Sequence, residues 1–176
     1  MDLNLELRPF TMDDIPSIAK YANNENIEKW LRDGFPSPYT LKDAESFIGK
    51  LVDMESTNVF AISLDGEAIG SIGVFFQENV YKRSAEIGYW LGEPFWGRGI
   101  MASSIKFLTK YLFSSYDLVR IFSEPFSDNI GSRRTLEKAG YKYEGTKRLA
   151  VYKHGAFHDS CLYAALKDEW ITRDDL

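Results

Sequence analysis

The sequence predicts a mixed α/β fold, and three observations carry that prediction. Apolar residues recur three or four apart in some stretches and alternate with polar ones in others. Turn signals such as Asp65-Gly66 and Gly97-Arg98-Gly99 stand between those stretches. No repeat, low-complexity tract or Pro/Gly/Ser-rich linker interrupts the 176 residues, 44% of them hydrophobic. The chain 1–176 therefore reads as one domain, long enough to bury roughly 70% of its unfolded surface.

Taken in order, residues 11–24 open with Thr11 as a candidate N-cap, carry Asp13, Asp14 and Pro16 in the first turn, and place Ile15, Ile18 and Ala19 at helical spacing. Residues 25–38 read as an irregular loop holding Trp30, Phe35 and two prolines. A second helix follows Pro38-Tyr39-Thr40, with Ala44, Phe47, Ile48 and Leu51 on one face. Phe60, Ile62 and Leu64 then alternate, Asp65-Gly66 turns the chain, and Ile69 to Phe76 returns as a strand. Ser84 to Leu91 is a third strand, closed by Gly92-Glu93-Pro94. After Phe95-Trp96-Gly97-Arg98-Gly99 comes a helix with Ala102, Ile105, Leu108 and Leu112 on one face. A short strand, Val119 to Glu124, precedes a helix that carries Ile130, Leu136 and Ala139 and stops at Gly140. Tyr141 to Leu149 and Asp159 to Leu166 complete the pattern as two more strands.

Composition narrows the functional classes. The single cysteine, Cys161, excludes an internal disulfide and a multi-cysteine zinc site. His154 and His158 flank Gly155 without a helical pattern or a carboxylate cluster, so both read as structural, Asp159 as a strand-entry partner, and no metal is expected. No apolar run approaches the ~20 residues of a membrane helix. The start, MDLNLELRPF, lacks the basic and apolar regions of a secretory signal, which points to the cytoplasm. With 21 basic and 26 acidic residues the net charge is −5, and no basic stripe suggests nucleic acid. An acidic surface leans towards a cationic partner, such as an amine.

Gly97-Arg98-Gly99 lies between a strand and a helix, where glycines admit close backbone approach and a helix start offers free N–H groups. A pyrophosphate is the expected guest, with a plain tight turn as the alternative. Gly97 to Ala102 also fits the dinucleotide pattern G-x-G-x-x-A. That pattern requires an acidic residue about 20 positions on, at the end of the next strand, whereas Asp117 precedes its strand. The unit also lies mid-chain behind an antiparallel meander, and the dehydrogenase reading is set aside.

The chain resembles the GNAT superfamily, the Gcn5-related N-acetyltransferases, and most of all its RimJ/RimL-type branch of ribosomal-protein acetyltransferases. The resemblance covers nearly the whole chain. It rests on Leu7-Arg8-Pro9-Phe10, on Asp65-Gly66-Glu67-Ala68-Ile69-Gly70, and on Ala85-Glu86-Ile87-Gly88-Tyr89-Trp90-Leu91 running into Phe95-Trp96-Gly97-Arg98-Gly99. It continues through Asn129-Ile130-Gly131-Ser132 and Leu136-Glu137-Lys138-Ala139-Gly140-Tyr141 to Asp168-Glu169-Trp170. The resemblance implies a single domain with a central, mostly antiparallel twisted sheet, a splayed strand pair and flanking helices. It implies transfer of acetyl from acetyl-CoA to a primary amine (a protein N-terminus, a polyamine or another small amine) by direct attack in a ternary complex. Homodimerisation is a further implication. A non-catalytic acyl-CoA-binding sensor on the same fold is the alternative.

Carried over residue by residue, the resemblance implies that Tyr89, Trp90 and Leu91 line the pantetheine arm, with the Leu91 amide polarising the thioester carbonyl. The segment Trp96, Gly97, Arg98, Gly99, Ile100, Met101 and Ala102 would cradle the pyrophosphate. Asn129 would hydrogen-bond the arm, its alternative being a helix cap. Glu86 is the candidate base, although a regular strand points it away from the face of Tyr89 and Leu91 unless a bulge intervenes; a structural ion pair is its alternative. Many relatives use a tyrosine acid in the helix after Asn129; here that slot is Glu137, and the resemblance to the RimJ/RimL branch suggests Ser132 as the acid instead, with a cofactor contact as its alternative. Met101 must turn its side chain away from the phosphates, and Ser104, where the family often has Glu, is expected on the surface. Trp30, Phe35 and Tyr39, with Glu25 and Glu28, fall in the variable region near which the family places its acceptor, and packing under a loop is the alternative for each.

Overall fold

The computed structural model describes residues 4–54 and 58–171. Its strands are hydrogen-bonded into one seven-stranded sheet, in the order β1-β2-β3-β4-β5-β7-β6. They are β1 (Leu5–Arg8), β2 (Val59–Leu64), β3 (Glu67–Phe76), β4 (Ser84–Leu91), β5 (Arg120–Ser123), β6 (Lys142–Lys153) and β7 (Ala156–Leu166). The helices are α1 (Ile15–Ala22), α2 (Glu25–Glu28), α3 (Leu41–Asp53), α4 (Ile100–Ser115), α5 (Ile130–Ala139) and α6 (Lys167–Ile171). The pairs β1–β2, β2–β3, β5–β7 and β6–β7 are antiparallel, and β4–β5 is parallel. This is the mixed α/β, mostly antiparallel sheet expected from the sequence. Contacts divide the chain into two compact units, Met1–Gly73 with Tyr89–Ile100, and Val74–Gly88 with Met101–Leu176.

In the first unit, α1 and α3 pack through Ile18, Ala19, Ala22, Ala44 and Ile48, and the small residues allow close approach. Thr40 and Asp43 cap α3 reciprocally: Asp43 N donates to Thr40 Oγ1, and Thr40 N donates to Asp43 Oδ2 at 2.8 Å. Asp65 and Gly66, with φ of 51° and 90°, make the two-residue turn between β2 and β3. The expected helix over 11–24 divides instead into a 3-10 turn, Met12–Asp14, followed by α1. The divider is the Asp14 carboxylate, which takes both Arg8 guanidinium nitrogens at 2.7 Å together with the Thr11 N–H, and so holds this turn against the end of β1. β1 itself was not expected, because four residues give too short an alternation to read.

In the second unit, α4 buries Ile105, Leu108 and Leu112, as its spacing predicts. Ser104 is buried too, only 1% exposed, which corrects its expected surface position. It lies beside the fully buried Ile105 on the inward side of α4. Gly140 ends α5 in the left-handed region at φ 99°. β6 and β7 extend past their expected limits and meet at His154-Gly155, with φ of 50° and 79°. The β6 side chains are nearly all exposed, so no buried face marked the strand's true length.

Candidate functional site

In the second unit the parallel β4–β5 ladder pairs Ser84 with Arg120, Ala85 with Ile121, and Glu86 with Phe122. β4 continues beyond this ladder to Leu91. By strand alternation Glu86, Gly88 and Trp90 share one face, and Ala85, Ile87, Tyr89 and Leu91 the other; Ala85, Ile87 and Leu91 are buried. The β5 ladder runs without a register shift over Ser84–Glu86, and the Glu86 carboxylate is half-buried.

In the first unit, β3 and the end of β4 lie unusually close. A Cβ on Gly70 would stand 2.4 Å from the Trp90 carbonyl oxygen, so only glycine fits. The peptide between Leu91 and Gly92 is then held at both ends. Gly92 N donates to Ile69 O at 2.8 Å, and the Trp96 indole Nε1 donates to Leu91 O at 2.7 Å. The Leu91 carbonyl is thus engaged by Trp96. Trp96, which the sequence assigned to the cofactor cradle, closes this turn.

After the 3-10 turn Glu93–Phe95, Arg98 lies over the Phe95 ring at 5.9 Å. Gly97 and Gly99 have φ of 74° and 78°, and a Cβ on either would meet no protein atom within 4 Å. Both glycines are therefore required by conformation, and the space before them is open. Ile100 starts α4 directly afterwards, where N–H groups of the first turn lack helical partners. Open space, left-handed glycines and a helix start together suit an anion such as a pyrophosphate. Met101 is buried, and Ala102 follows in the same turn.

In the second unit, Asn129 caps α5: its Oδ1 accepts from Ser132 N at 3.1 Å. Capping uses the oxygen and leaves the Nδ2 donors to serve a ligand, so the two readings of Asn129 are compatible. Ser132 stands in the first turn. The start of α5 is held by a network that the sequence did not reveal. Arg133 donates from Nη1 to Ser127 O at 3.0 Å and from Nε to the Tyr163 hydroxyl at 3.2 Å. Tyr163 donates in turn to Glu137 Oε1 at 2.9 Å. Burial pushes the Tyr163 phenol above its ordinary range against the opposing pull of Arg133, and Glu137 adds to the rise. The partners come from β7 and α5, too distant in sequence for any spacing to show.

The region 25–38 contains α2, and its Phe35 packs towards β4 within the first unit. Phe35 contacts Tyr39 at 4.9 Å and Trp90 at 5.9 Å between ring centroids. Burial, and secondarily Asp43, raises the Tyr39 phenol to about 12, so it stays protonated at any physiological pH. His158 Nδ1 lies 3.4 Å from Asp128 Oδ2, and Asp159 accepts from Leu149 N at 2.8 Å. Both contacts are structural. Among the described residues, no group of three or more His, Cys, Asp or Glu could hold a metal, and no helix is long and apolar enough to cross a membrane.

Comparison with known proteins adds to this geometry. Residues 4–142 match the acetyltransferase (GNAT) domain family. YdaF of Bacillus subtilis, named as a candidate ribosomal N-acetyltransferase, is 36% identical over 106 residues, which is 60% of this chain and 57% of that protein. The uncharacterized N-acetyltransferase YnaD of Bacillus subtilis is 27% identical over 94% of this chain and 95% of its own. Among solved structures, Mycobacterium smegmatis RimJ in complex with CoA-disulfide superposes with a TM-score of 0.82 at 26% identity, covering 94% of this chain and 83% of that one.

Proposed function

The chain belongs to the acetyltransferase (GNAT) domain family, of the RimJ/RimL-like branch, and from that premise we propose that it transfers acetyl from acetyl-CoA to a primary amine by direct attack in a ternary complex. One observation carries the reading: β4 runs past its β5 pairing to a peptide locked by Trp96 and Ile69, and leads into two left-handed glycines facing open space at the start of α4. An arm lying along β4 and a pyrophosphate at the helix start need this arrangement. The CoA complex of RimJ supports the choice of ligand.

In this reading the backbone of Tyr89 and the Leu91 N–H hold the arm beside Trp90. Trp96, Gly97, Arg98, Gly99, Ile100, Met101 and Ala102 form the phosphate cradle, and Asn129 contributes its Nδ2. The acceptor must attack as a neutral amine, so Glu86 takes its proton, directly or through a water. The amine arrives from the 25–38 region, near which the family places its acceptor; Phe35 of that region touches Trp90 of β4. The Leu91 N–H stabilises the oxyanion as the new N–C bond forms. As the C–S bond breaks, the surplus proton left on the nitrogen passes to the leaving thiolate through the Ser132 hydroxyl, which gives one proton and takes up the other. Positioning supplies much of the rate.

The acceptor in this reading is a protein N-terminus, a polyamine or another small amine. YdaF, named as a candidate ribosomal N-acetyltransferase, favours a protein acceptor. The reading includes a single catalytic domain in the cytoplasm and homodimerisation, with no nucleic acid or metal taking part. Calorimetric titration with acetyl-CoA tests it: saturable binding weakened by Gly99→Val is expected, and no binding would remove the reading.

A further inference from the structure

Three side chains of the first unit join the segment after α1 to the turn after β4. Glu93 opens that turn, and its carboxylate accepts from Asn24 Nδ2 at 2.5 Å and Asn26 Nδ2 at 3.2 Å. Asn24 is also the N-cap of α2, its Oδ1 accepting from Asn26 N at 2.8 Å. Both ends of its amide are engaged, so its orientation is fixed. Lys29, at the C-cap of α2, donates to Asn26 Oδ1 at 3.1 Å, which ties the short helix at both ends to one cluster. The neighbouring Asn23 accepts from Tyr39 N at 3.0 Å and closes the far end of the segment. Asn24 first, then Asn26 and Lys29, hold the Glu93 carboxyl below the ordinary carboxylate range.

The cluster is not needed to close the core. Glu93, Asn26 and Lys29 are exposed, whereas Ile27 and Tyr39 are buried. What the cluster does is fix position. A four-residue helix has little stability of its own. Hydrogen bonds to a carboxylate are stronger and more directional than neutral ones. With Phe35 against Trp90, the 24–39 segment is anchored to β4 at two points, one on the strand and one on the turn after it.

We propose that Glu93 is a positioning residue for the amine acceptor: from the turn after β4 it holds α2 and the segment that follows, and so sets where the amine stands relative to the Leu91 N–H. The proposal rests on the reading above that the 24–39 segment faces the acceptor. Trp96 fastens the other end of the same turn, so the acceptor and cofactor sides are held by different residues and can be separated by mutation.

The test compares wild type with Glu93→Ala, Glu93→Gln, Asn26→Ala and the double variant Glu93→Ala/Asn26→Ala. The probes are a peptide with a free N-terminal serine and spermidine, read beside the acetyl-CoA dissociation constant and amide hydrogen exchange. In Glu93→Ala, KM for the accepted probe is expected to rise about tenfold. Glu93→Gln should recover part of the loss, acetyl-CoA affinity should stay within about twofold, and adding Asn26→Ala should change little, because both variants break the same link. An unchanged KM, or an acetyl-CoA dissociation constant rising in step with it, overturns the proposal. If wild type acetylates neither probe, the reading of the acceptor fails separately, and exchange decides. Amides of α2 exchanging about tenfold faster in Glu93→Ala, with α3 unchanged, support the link, and unchanged exchange overturns it.

Discussion

The indole Nε1 of Trp96 and the carbonyl oxygen of Leu91 are joined at 2.7 Å, across a turn that links the end of β4 to the start of α4. Because Gly92 N is bonded to Ile69 O, the peptide between Leu91 and Gly92 cannot rotate without breaking two hydrogen bonds. That peptide adjoins the amide assigned to the thioester carbonyl. Tyrosine or phenylalanine at position 96 could fill similar space, but neither has a donor at this place.

Trp96→Phe should therefore leave the fold intact and weaken acetyl-CoA binding about two- to tenfold, the value of one neutral hydrogen bond. kcat should fall with it if the Leu91 amide moves. Calorimetry and steady-state kinetics on one preparation check both, and unchanged values would show that the indole only packs.

Gly99→Val places a β-branched residue at φ 78°, where L side chains are strained by about 1–3 kcal/mol. No protein atom lies within 4 Å of the added Cβ, so the fold should survive. The dissociation constant for acetyl-CoA should rise at least about tenfold, because the cradle depends on this conformation. Equal affinity would show that the glycines only turn the chain.

Ser132→Ala should lower kcat more than it weakens acetyl-CoA binding if the hydroxyl delivers the proton to sulfur. Equal losses would leave it a cofactor contact. Glu86→Gln should reduce kcat/KM on the order of a hundredfold with acetyl-CoA affinity retained. An unchanged kcat/KM would assign the base elsewhere.

Much of this was legible in the sequence, for identifiable reasons. Gly97, Gly99 and the periodicity of α4 are local signals, and the Asp65-Gly66 turn has one natural conformation. The capping role of Asn129 is equally local. The role of Trp96 was not, because an indole reaching back to a carbonyl depends on the path of the turn. Nor was the Arg133–Tyr163–Glu137 network, whose phenol comes from another strand. Ser104 was misplaced because a small polar residue reads the same on either face of a helix. The Glu93 link joins residues almost seventy positions apart, and no spacing rule reaches that far.

The Arg8–Asp14 pair gives a stability prediction. Burial pushes the Asp14 carboxyl up, but Arg8 and the Thr11 N–H outweigh it and hold it below its ordinary value. A depressed carboxylate contributes stability that is present above its unfolded pKa and lost as pH falls through the folded one. Thermal stability should be level above about pH 5 and fall below about pH 4. Asp14→Asn removes the buried charge partner of Arg8, leaving only Glu6 at 3.8 Å, and should cost about 2–3 kcal/mol near neutrality, with a shallower acid slope. An acid slope identical to wild type would show that other carboxylates dominate.

The central claim is acetyl transfer to an amine, and CoA release tests it most directly. Acetyl-CoA is incubated with the enzyme, with and without N-terminal peptides and spermidine, and free thiol is followed beside the mass of the amine. The account predicts thiol release that depends on one class of amine and matches an acetylated product in amount. Acetyl-CoA binding with no amine-dependent release would contradict it, and would leave the protein as an acyl-CoA-binding sensor on the same fold.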